Sequence, residues 1–121
     1  MMHNPYQSGQ QAENIALEYL NRHNLRLVQK NFHSRFGEID LIMRERSSLV
    51  FVEVRARASR SFGGAAASVS QDKQQKLIKT ATNYLLSKNS YDKQPIRFDV
   101  VAIEGVELQI EWIKNAFGLD F

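Results

Sequence analysis

Apolar residues recur at spacings of three and four along two stretches of the chain, and this period predicts two amphipathic helices. The first helix is expected over residues 9–23, and its apolar stripe consists of Ala12, Ile15, Ala16, Tyr19 and Leu20. The second is expected over residues 70–88, and its apolar face consists of Leu77, Ala81, Tyr84 and Leu85. Each stripe has to pack against another layer of the protein, because most of the stability of a protein helix comes from such packing.

Five shorter stretches are rich in Val, Ile, Leu and Phe, which predicts β-strands. They cover residues 25–32, 38–44, 49–57, 96–103 and 108–113. The polar link "ERSS" between the second and third strands suits an antiparallel hairpin, residues 58–69 are expected to form a loop, and those after 113 a short tail. Asp99, in the fourth strand, is expected at a turn or a sheet edge. The order α–β–β–β–loop–α–β–β predicts a single α/β domain, residues 1–121, with a mixed central sheet flanked by helices.

Composition narrows the class of protein. Of the 121 residues, 43% are hydrophobic and 24% are charged, which is an ordinary balance for a folded globular domain. The longest uninterrupted apolar runs have four residues, at 49–52 and 100–103, and are too short to cross a bilayer. The N-terminal residues lack the features of a secretory signal, and cysteine is absent, which excludes disulfides and thiolate sites. The cytoplasm is therefore the expected location.

Positive charge is concentrated immediately after the third strand. The formal net charge of the whole chain is only +3. Between residues 55 and 79, however, one acid (Asp72) is accompanied by six basic residues, namely Arg55, Arg57, Arg60, Lys73, Lys76 and Lys79. Such a segment suits contact with a nucleic-acid backbone, although lysines along a helix also commonly form no more than a solvated face.

Glu38, Asp40, Glu53 and Arg55 interrupt the apolar character of the second and third strands, in "GEIDLIMRERSSLVFVEVRAR", residues 37–57. Side chains alternate between the two faces along a strand. In the second strand this predicts one face made of Glu38, Asp40 and Ile42 and an opposite face made of Ile39, Leu41 and Met43. In the third strand it predicts one face made of Phe51, Glu53, Arg55 and Arg57.

Asp40 and Glu53 can come near each other if these two strands pair around the "ERSS" turn. Two ionised carboxylates about 5 Å apart repel by roughly 1–3 kcal/mol at effective dielectric constants of about 20–80, and a cation would relieve that repulsion. Mg²⁺ and Mn²⁺ take oxygen ligands of this type, with waters and substrate phosphates completing the shell. A cation held there could promote hydrolysis of a phosphodiester. Periodicity alone leaves open an alternative, a solvated strand face with ion pairs worth about 0–1 kcal/mol each.

The order and spacing of the acids match a known pattern. An acid on the first helix (Glu13), then "GEID", then "VEVR" with its glutamate thirteen residues after Asp40, resembles the restriction-endonuclease-like nucleases. Their signature is an Asp followed on the next strand by Glu-x-Lys, on an αβββαβ core. The segments "GQQAENIALEYL", "GEIDLI", "LVFVEVRAR" and "FDVVAI" are more closely similar to the YraN family of small bacterial proteins, itself similar to the archaeal Holliday junction resolvases. This resemblance covers nearly the whole chain.

The resemblance implies roles for individual residues. Asp40 and Glu53 match the metal-binding carboxylates of the nuclease pattern. Glu13 matches an acid of the first helix that can reach the same site, although a glutamate that simply faces solvent is the plain alternative. Glu38 would be a weaker candidate for a ligand or water contact, and the pattern also implies the backbone carbonyl of Val54 as a ligand.

One position departs from the nuclease signature, since Arg55 stands where the pattern has lysine. Arginine is effectively always protonated and cannot serve as a general base. It can still orient a phosphate and neutralise developing charge. Lys73 or Gln74, early in the second helix, could supply a compensating group.

Three functions therefore stay open at the level of sequence. The first is a Mg²⁺- or Mn²⁺-dependent endodeoxyribonuclease, with Asp40, Glu53 and Arg55 catalytic and with a DNA-contacting set made of Arg55, Arg57, Arg60, Lys73 and Lys76. The resemblance implies action on branched DNA and is compatible with a homodimer. The second is a non-catalytic nucleic-acid-binding module that retains the nuclease fold, for which Arg55 is the main argument. The third is a protein–protein adaptor whose charged strand faces are merely surface.

Overall fold

The computed structural model describes residues 9–57, 64 and 68–118, and its elements follow the predicted order. They are α1 (Gly9–Arg22), β1 (Arg26–Ser34), β2 (Gly37–Glu45), β3 (Ser48–Arg57), α2 (Gln71–Ser87), β4 (Ile96–Glu104) and β5 (Gln109–Phe117). The five strands form one sheet in the order β1-β2-β3-β4-β5. Only β3 and β4 are parallel, and every other neighbouring pair is antiparallel. The predicted α/β fold, with a mixed sheet flanked by helices, is confirmed and is consistent with a restriction-endonuclease-like core.

Each helix covers one face of the sheet, and its predicted apolar stripe forms the contact. On the α1 face, the buried cluster includes Ala12, Ala16, Leu20, Leu41, Met43, Val50, Val52 and Val101. On the α2 face, the buried cluster includes Ile39, Ile42, Phe51, Leu77, Ala81, Tyr84, Leu85 and Phe98. Residues 50, 51 and 52 alternate between the two clusters, as an extended strand requires. The sheet is therefore covered on both sides, and any polar group along β2 or β3 is partly removed from water.

Local signals in the sequence account for the ends of several elements. The "ERSS" link is a two-residue turn, because Glu45 pairs with Ser48 and Arg46 adopts a positive φ of 53°. Ser70 caps α2, since its hydroxyl accepts a hydrogen bond from the backbone N–H of Lys73 at 3.1 Å. This cap fixes where α2 begins and therefore how its first turn faces the sheet.

Two expectations about the strands are wrong. Ile39 was expected on the same face as Leu41, but it packs in the cluster under α2 together with Ile42. Strict alternation fails next to Asp40, where the β2–β3 ladder has ended at the Leu41–Val52 pair and Asn31, which lies opposite Asp40 on β1, has a positive φ of 52°. The expected tail after residue 113 is also wrong, because β5 continues to Phe117, beyond a register shift that lets Phe117 pair with Phe98.

Asp99 lies in the middle of β4 and is fully buried, rather than at a turn or a sheet edge. Its carboxylate accepts hydrogen bonds from the Arg97 guanidinium, from the indole N–H of Trp112 and from the backbone N–H of Asn115. Trp112 and Asn115 come from β5, and Asn115 lies in the part of β5 that the sequence pattern did not indicate. Asp99 thus fastens β5 to β4.

Much of the loop expected over residues 58–69 lies outside the described residues, and so does Arg60. Within the described part of the chain, no helix is both long and apolar enough to span a membrane.

Candidate active site

A gap in strand pairing brings the two predicted carboxylates together. Beyond the Leu41–Val52 pair, β2 continues to pair with β1 and β3 continues to pair with β4, so β2 and β3 separate at Asp40 and Glu53. Inside this fork, the Asp40 carboxylate accepts the backbone N–H of Val54 at 2.8 Å. The Asp40 side chain thereby replaces a missing rung of the ladder and points at β3.

Burial and mutual repulsion act on both carboxyl groups. Burial raises the pKa of Glu53 to about 7, and the charge of Asp40 is the next largest cause. Burial also raises the pKa of Asp40, although the hydrogen bond from Val54 and a proton shared with Glu53 oppose that rise. Glu53 is the more perturbed of the two because Asp40 accepts a backbone N–H, whereas no described residue donates one to the Glu53 carboxylate. Close to neutral pH, the pair holds one proton readily.

Two cationic side chains approach the same oxygen of Glu53. Arg55 Nη1 lies 3.5 Å from Glu53 Oε2, and Lys73 Nζ, which comes from the first turn of α2, lies 3.7 Å from it. Both cations are 37% exposed, whereas the Glu53 side chain is 6% exposed. The sequence left open whether Lys73 or Gln74 contributes to the site. Lys73 faces Glu53, whereas the side-chain amide of Gln74 donates a hydrogen bond to the backbone carbonyl of Val69. The site therefore combines buried anions with cations that reach solvent.

Glu13 approaches the fork from the α1 side. Its pKa is raised, first by burial and then by the charge of Asp40, while a hydrogen bond with the Asn31 side chain lowers it. One carboxylate oxygen, Glu13 Oε1, is buried and has no hydrogen-bond partner among the described residues. Asn31 was missed at the level of sequence, because nothing in the β1 pattern indicates its left-handed backbone (φ 52°).

The donor set suits a hard divalent cation of the Mg²⁺ or Mn²⁺ type. Asp40 and Glu53 present oxygen ligands side by side, and deprotonation of that buried pair is costly unless a positive charge is added. Over the residues that the structure describes, no three Asp, Glu, His or Cys side chains are gathered as a ready metal cage. A cation would thus be held by the carboxylates of Asp40 and Glu53, with Glu13 close to Asp40. Waters and a substrate phosphate would fill its remaining coordination positions, as is common for Mg²⁺ in proteins.

The other predicted residues lie outside this pair. Arg57 is only 13% exposed, and its guanidinium donates to Glu104 at 2.8 Å and to the carbonyl of Gly64 at 3.3 Å. Lys76 is exposed and lies 3.7 Å from Asp72, one turn away on α2. Glu38, the weaker ligand candidate, is half-exposed and lies 3.1 Å from His33, and its charge contributes to the raised pKa of Asp40.

Comparison with known proteins places the chain in a family. Residues 12–103 match the model of the family described as "Uncharacterised protein family UPF0102". The chain belongs to the UPF0102 family. The matched region contains the Glu13, Asp40 and Glu53 positions and runs from α1 into β4. The resemblance to the YraN family is confirmed by this match, because UPF0102 and YraN are the same family.

Bacterial relatives are similar over most of their length. A UPF0102 protein of Legionella pneumophila (strain Philadelphia 1) is 52% identical over 111 residues, which cover 92% of this chain and 94% of the relative. A UPF0102 protein of Nitrosomonas europaea is 53% identical over 110 residues, which cover 90% and 92%. One from Photobacterium profundum is 52% identical over 114 residues, which cover 93% and 90%. The names of these relatives state the family, and the activity proposed below rests on the site.

Proposed function

We propose that this protein is a divalent-metal-dependent nuclease that hydrolyses phosphodiesters in DNA, with Asp40 and Glu53 as metal ligands. The observation that carries the proposal is the buried carboxylate pair at the end of the β2–β3 ladder, with the pKa raised on both members. Buried like charges without a cation are unfavourable, and such perturbed groups cluster at functional sites. A solvated strand face, the plain alternative from the sequence, does not account for a glutamate that is 5% exposed.

The side chains around the pair suit phosphodiester hydrolysis. A divalent cation bound there would neutralise charge on the phosphate and polarise the attacking water. Glu53 has to lose its proton to act as a ligand, so metal binding should strengthen as the pH rises through about 7. With Glu53 acting as a metal ligand, Arg55 and Lys73 would be available to the phosphate. Arg55 would orient and neutralise the phosphate, a role that needs no proton transfer.

Sequence-independent contacts are expected to dominate DNA binding. Lys73, Lys76 and Arg55 carry exposed cationic groups on one side of the fork, and such groups recognise phosphates rather than bases. Arg57 is less suited to this role, because its guanidinium is already paired inside the protein. The resemblance to junction resolvases leads us to propose branched DNA as the substrate. Phosphate contacts are compatible with this substrate, because they recognise the shape of DNA rather than its base sequence.

Cleavage assays on the purified protein and on Asp40→Ala test the proposal. Labelled four-way junction, flap, single-stranded and duplex DNA are incubated with Mn²⁺, with Mg²⁺ and with EDTA. Wild type is expected to cut only with metal, and Asp40→Ala is expected to bind DNA but not to cut it. Glu18→Ala, an exposed acid of α1, is the matched control and should cut like wild type. Cleavage that survives in Asp40→Ala would overturn the assignment of the site.

A second candidate is a nucleic-acid-binding module without turnover. Arg55 at the signature lysine position favours it, as does the lack of a three-acid cage in the described part of the chain. This function predicts DNA affinity that falls steeply with salt, is indifferent to EDTA, and is not accompanied by cleavage under any of the metal conditions.

A further inference from the structure

A groove lies between the β1–β2 turn and the outer side of α2. Its volume is about 440 Å³, and its lining includes Arg35, Phe36, Ile78, Lys79 and Leu86. Leu86 is 62% exposed although it is a large apolar residue. Among the described residues that line the groove, none is an acid. This part of the groove thus combines an apolar wall with cationic charges.

The charged and aromatic groups of the groove are arranged together. The Arg35 guanidinium lies over the Phe36 ring, 4.9 Å from its centroid. Both Arg35 and Lys79 are exposed, so their charges are accessible from solvent. An aromatic ring beside cations in an open groove is the combination that binds single-stranded nucleic acid, because bases stack on the ring while phosphates are attracted to the cations.

A row of lysines at intervals of three residues on α2, namely Lys73, Lys76 and Lys79, leads from the candidate active site to the groove. Lys73 lies at Glu53, and Lys79 lies six residues further along the helix, a rise of about 9 Å. The β1–β2 turn follows the helix closely over this distance, since a Cβ on Gly37 would stand 3.9 Å from Lys76 Cβ and 3.5 Å from Thr80 Oγ1. Phe36 therefore lies next to the strand that carries Asp40 and opposite the helix that carries Lys73.

We infer that this groove binds unpaired nucleotides of a DNA strand that runs on from the candidate active site. The inference rests on the proposed function and narrows its substrate to branched DNA with a single-stranded arm. The cationic lining complements the phosphates, and the row of lysines on α2 between the fork and the groove gives the strand its path. A duplex would not use the apolar wall, since its bases are stacked on each other.

Binding of fluorescein-labelled oligothymidylate in EDTA tests the groove without requiring cleavage. Phe36→Leu keeps an apolar side chain and removes the ring, and we expect about tenfold weaker binding. Lys79→Ala is expected to weaken binding and to reduce the slope of log affinity against log salt by about 0.7, since one phosphate contact is lost. Lys93→Ala removes an exposed lysine from the turn after α2 and serves as the matched control. Thermal unfolding confirms that each variant is folded.

The outcomes separate the groove from the nuclease. Weaker binding by both groove variants, with Lys93→Ala like wild type, supports the inference even if no DNA is ever cut. Unchanged binding in folded Phe36→Leu and Lys79→Ala overturns it, even if wild type cuts DNA with metal. Equal losses in Lys79→Ala and Lys93→Ala would also overturn it, because they would indicate diffuse attraction rather than a site.

Discussion

Replacing Glu53 by Gln removes one negative charge from the buried pair, and we expect the variant to be more stable than wild type above pH 7 without divalent cations. Burial and the charge of Asp40 raise the pKa of Glu53 from 4.5 to about 7 in the folded protein. A carboxyl group with a raised folded pKa stabilises the fold fully below its unfolded pKa. That contribution is lost as the pH rises through the folded pKa. The free energy of unfolding of wild type should therefore fall between about pH 4.5 and pH 7.

The size of the effect follows from the same pKa. One pKa unit corresponds to about 1.4 kcal/mol, so a rise from 4.5 to about 7 corresponds to about 3–4 kcal/mol at most. Glu53 is 5% exposed, so solvent screening removes little of this. Asp40 and Glu53 titrate as an interacting pair, so Glu53→Gln removes only part of this energy. A gain of about 1–3 kcal/mol for Glu53→Gln above pH 7 is expected.

Urea unfolding followed by circular dichroism, in EDTA and across this pH range, measures the effect. The free energy of unfolding should depend less on pH in Glu53→Gln than in wild type. Glu18→Gln, which changes an exposed acid of α1, should follow wild type. Adding Mn²⁺ at pH 8 should stabilise wild type more than Glu53→Gln, because ligand binding to the folded state adds to its stability. A wild-type stability that does not change with pH, or an equal slope in Glu53→Gln, would refute the reasoning.

Two further predictions concern residues away from the pair. Asp99→Ala should lower the free energy of unfolding by about 3–5 kcal/mol, because Arg97 and Trp112 lose a buried partner. A loss below about 1 kcal/mol in urea unfolding would contradict this. Arg57→Ala should lower the free energy of unfolding by about 1–3 kcal/mol without changing the salt dependence of DNA binding. Lys76→Ala, in contrast, should reduce the slope of log affinity against log salt by about 1 and leave stability unchanged. The reverse pattern in a salt titration would restore Arg57 as a DNA contact.

Periodicity predicted the site wherever the strands are regular. Phe51 lies in the cluster under α2, and Glu53 and Arg55 follow it on that face of β3, as alternation requires. The "ERSS" turn set the register of the β2–β3 hairpin, and that register directs Asp40 towards β3. Both are local properties of the chain, so they can be read from residue types and spacing.

The parts that sequence missed depend on where the regular pairing stops. Ile39 lies on the unexpected face at the point where the β2–β3 ladder has ended, and no residue type predicts that end. Asn31 takes a left-handed backbone conformation that many other residues could occupy only with strain. The choice between Lys73 and Gln74 depended on the way α2 packs on the sheet, which is decided by contacts distant in sequence.

Two buried carboxylates in this sheet differ in how their charge is satisfied. Asp99 accepts hydrogen bonds of 2.9–3.2 Å from a guanidinium, an indole and a backbone amide, so its environment already accounts for its burial. Glu53 has cations at 3.5 and 3.7 Å from one oxygen and a second carboxylate beside it. A satisfied carboxylate is a structural element, whereas an undersatisfied pair costs the fold free energy that a bound cation can return. That difference is the physical reason why the proposed metal belongs at the Asp40–Glu53 end of the sheet, whereas Asp99 has a structural role.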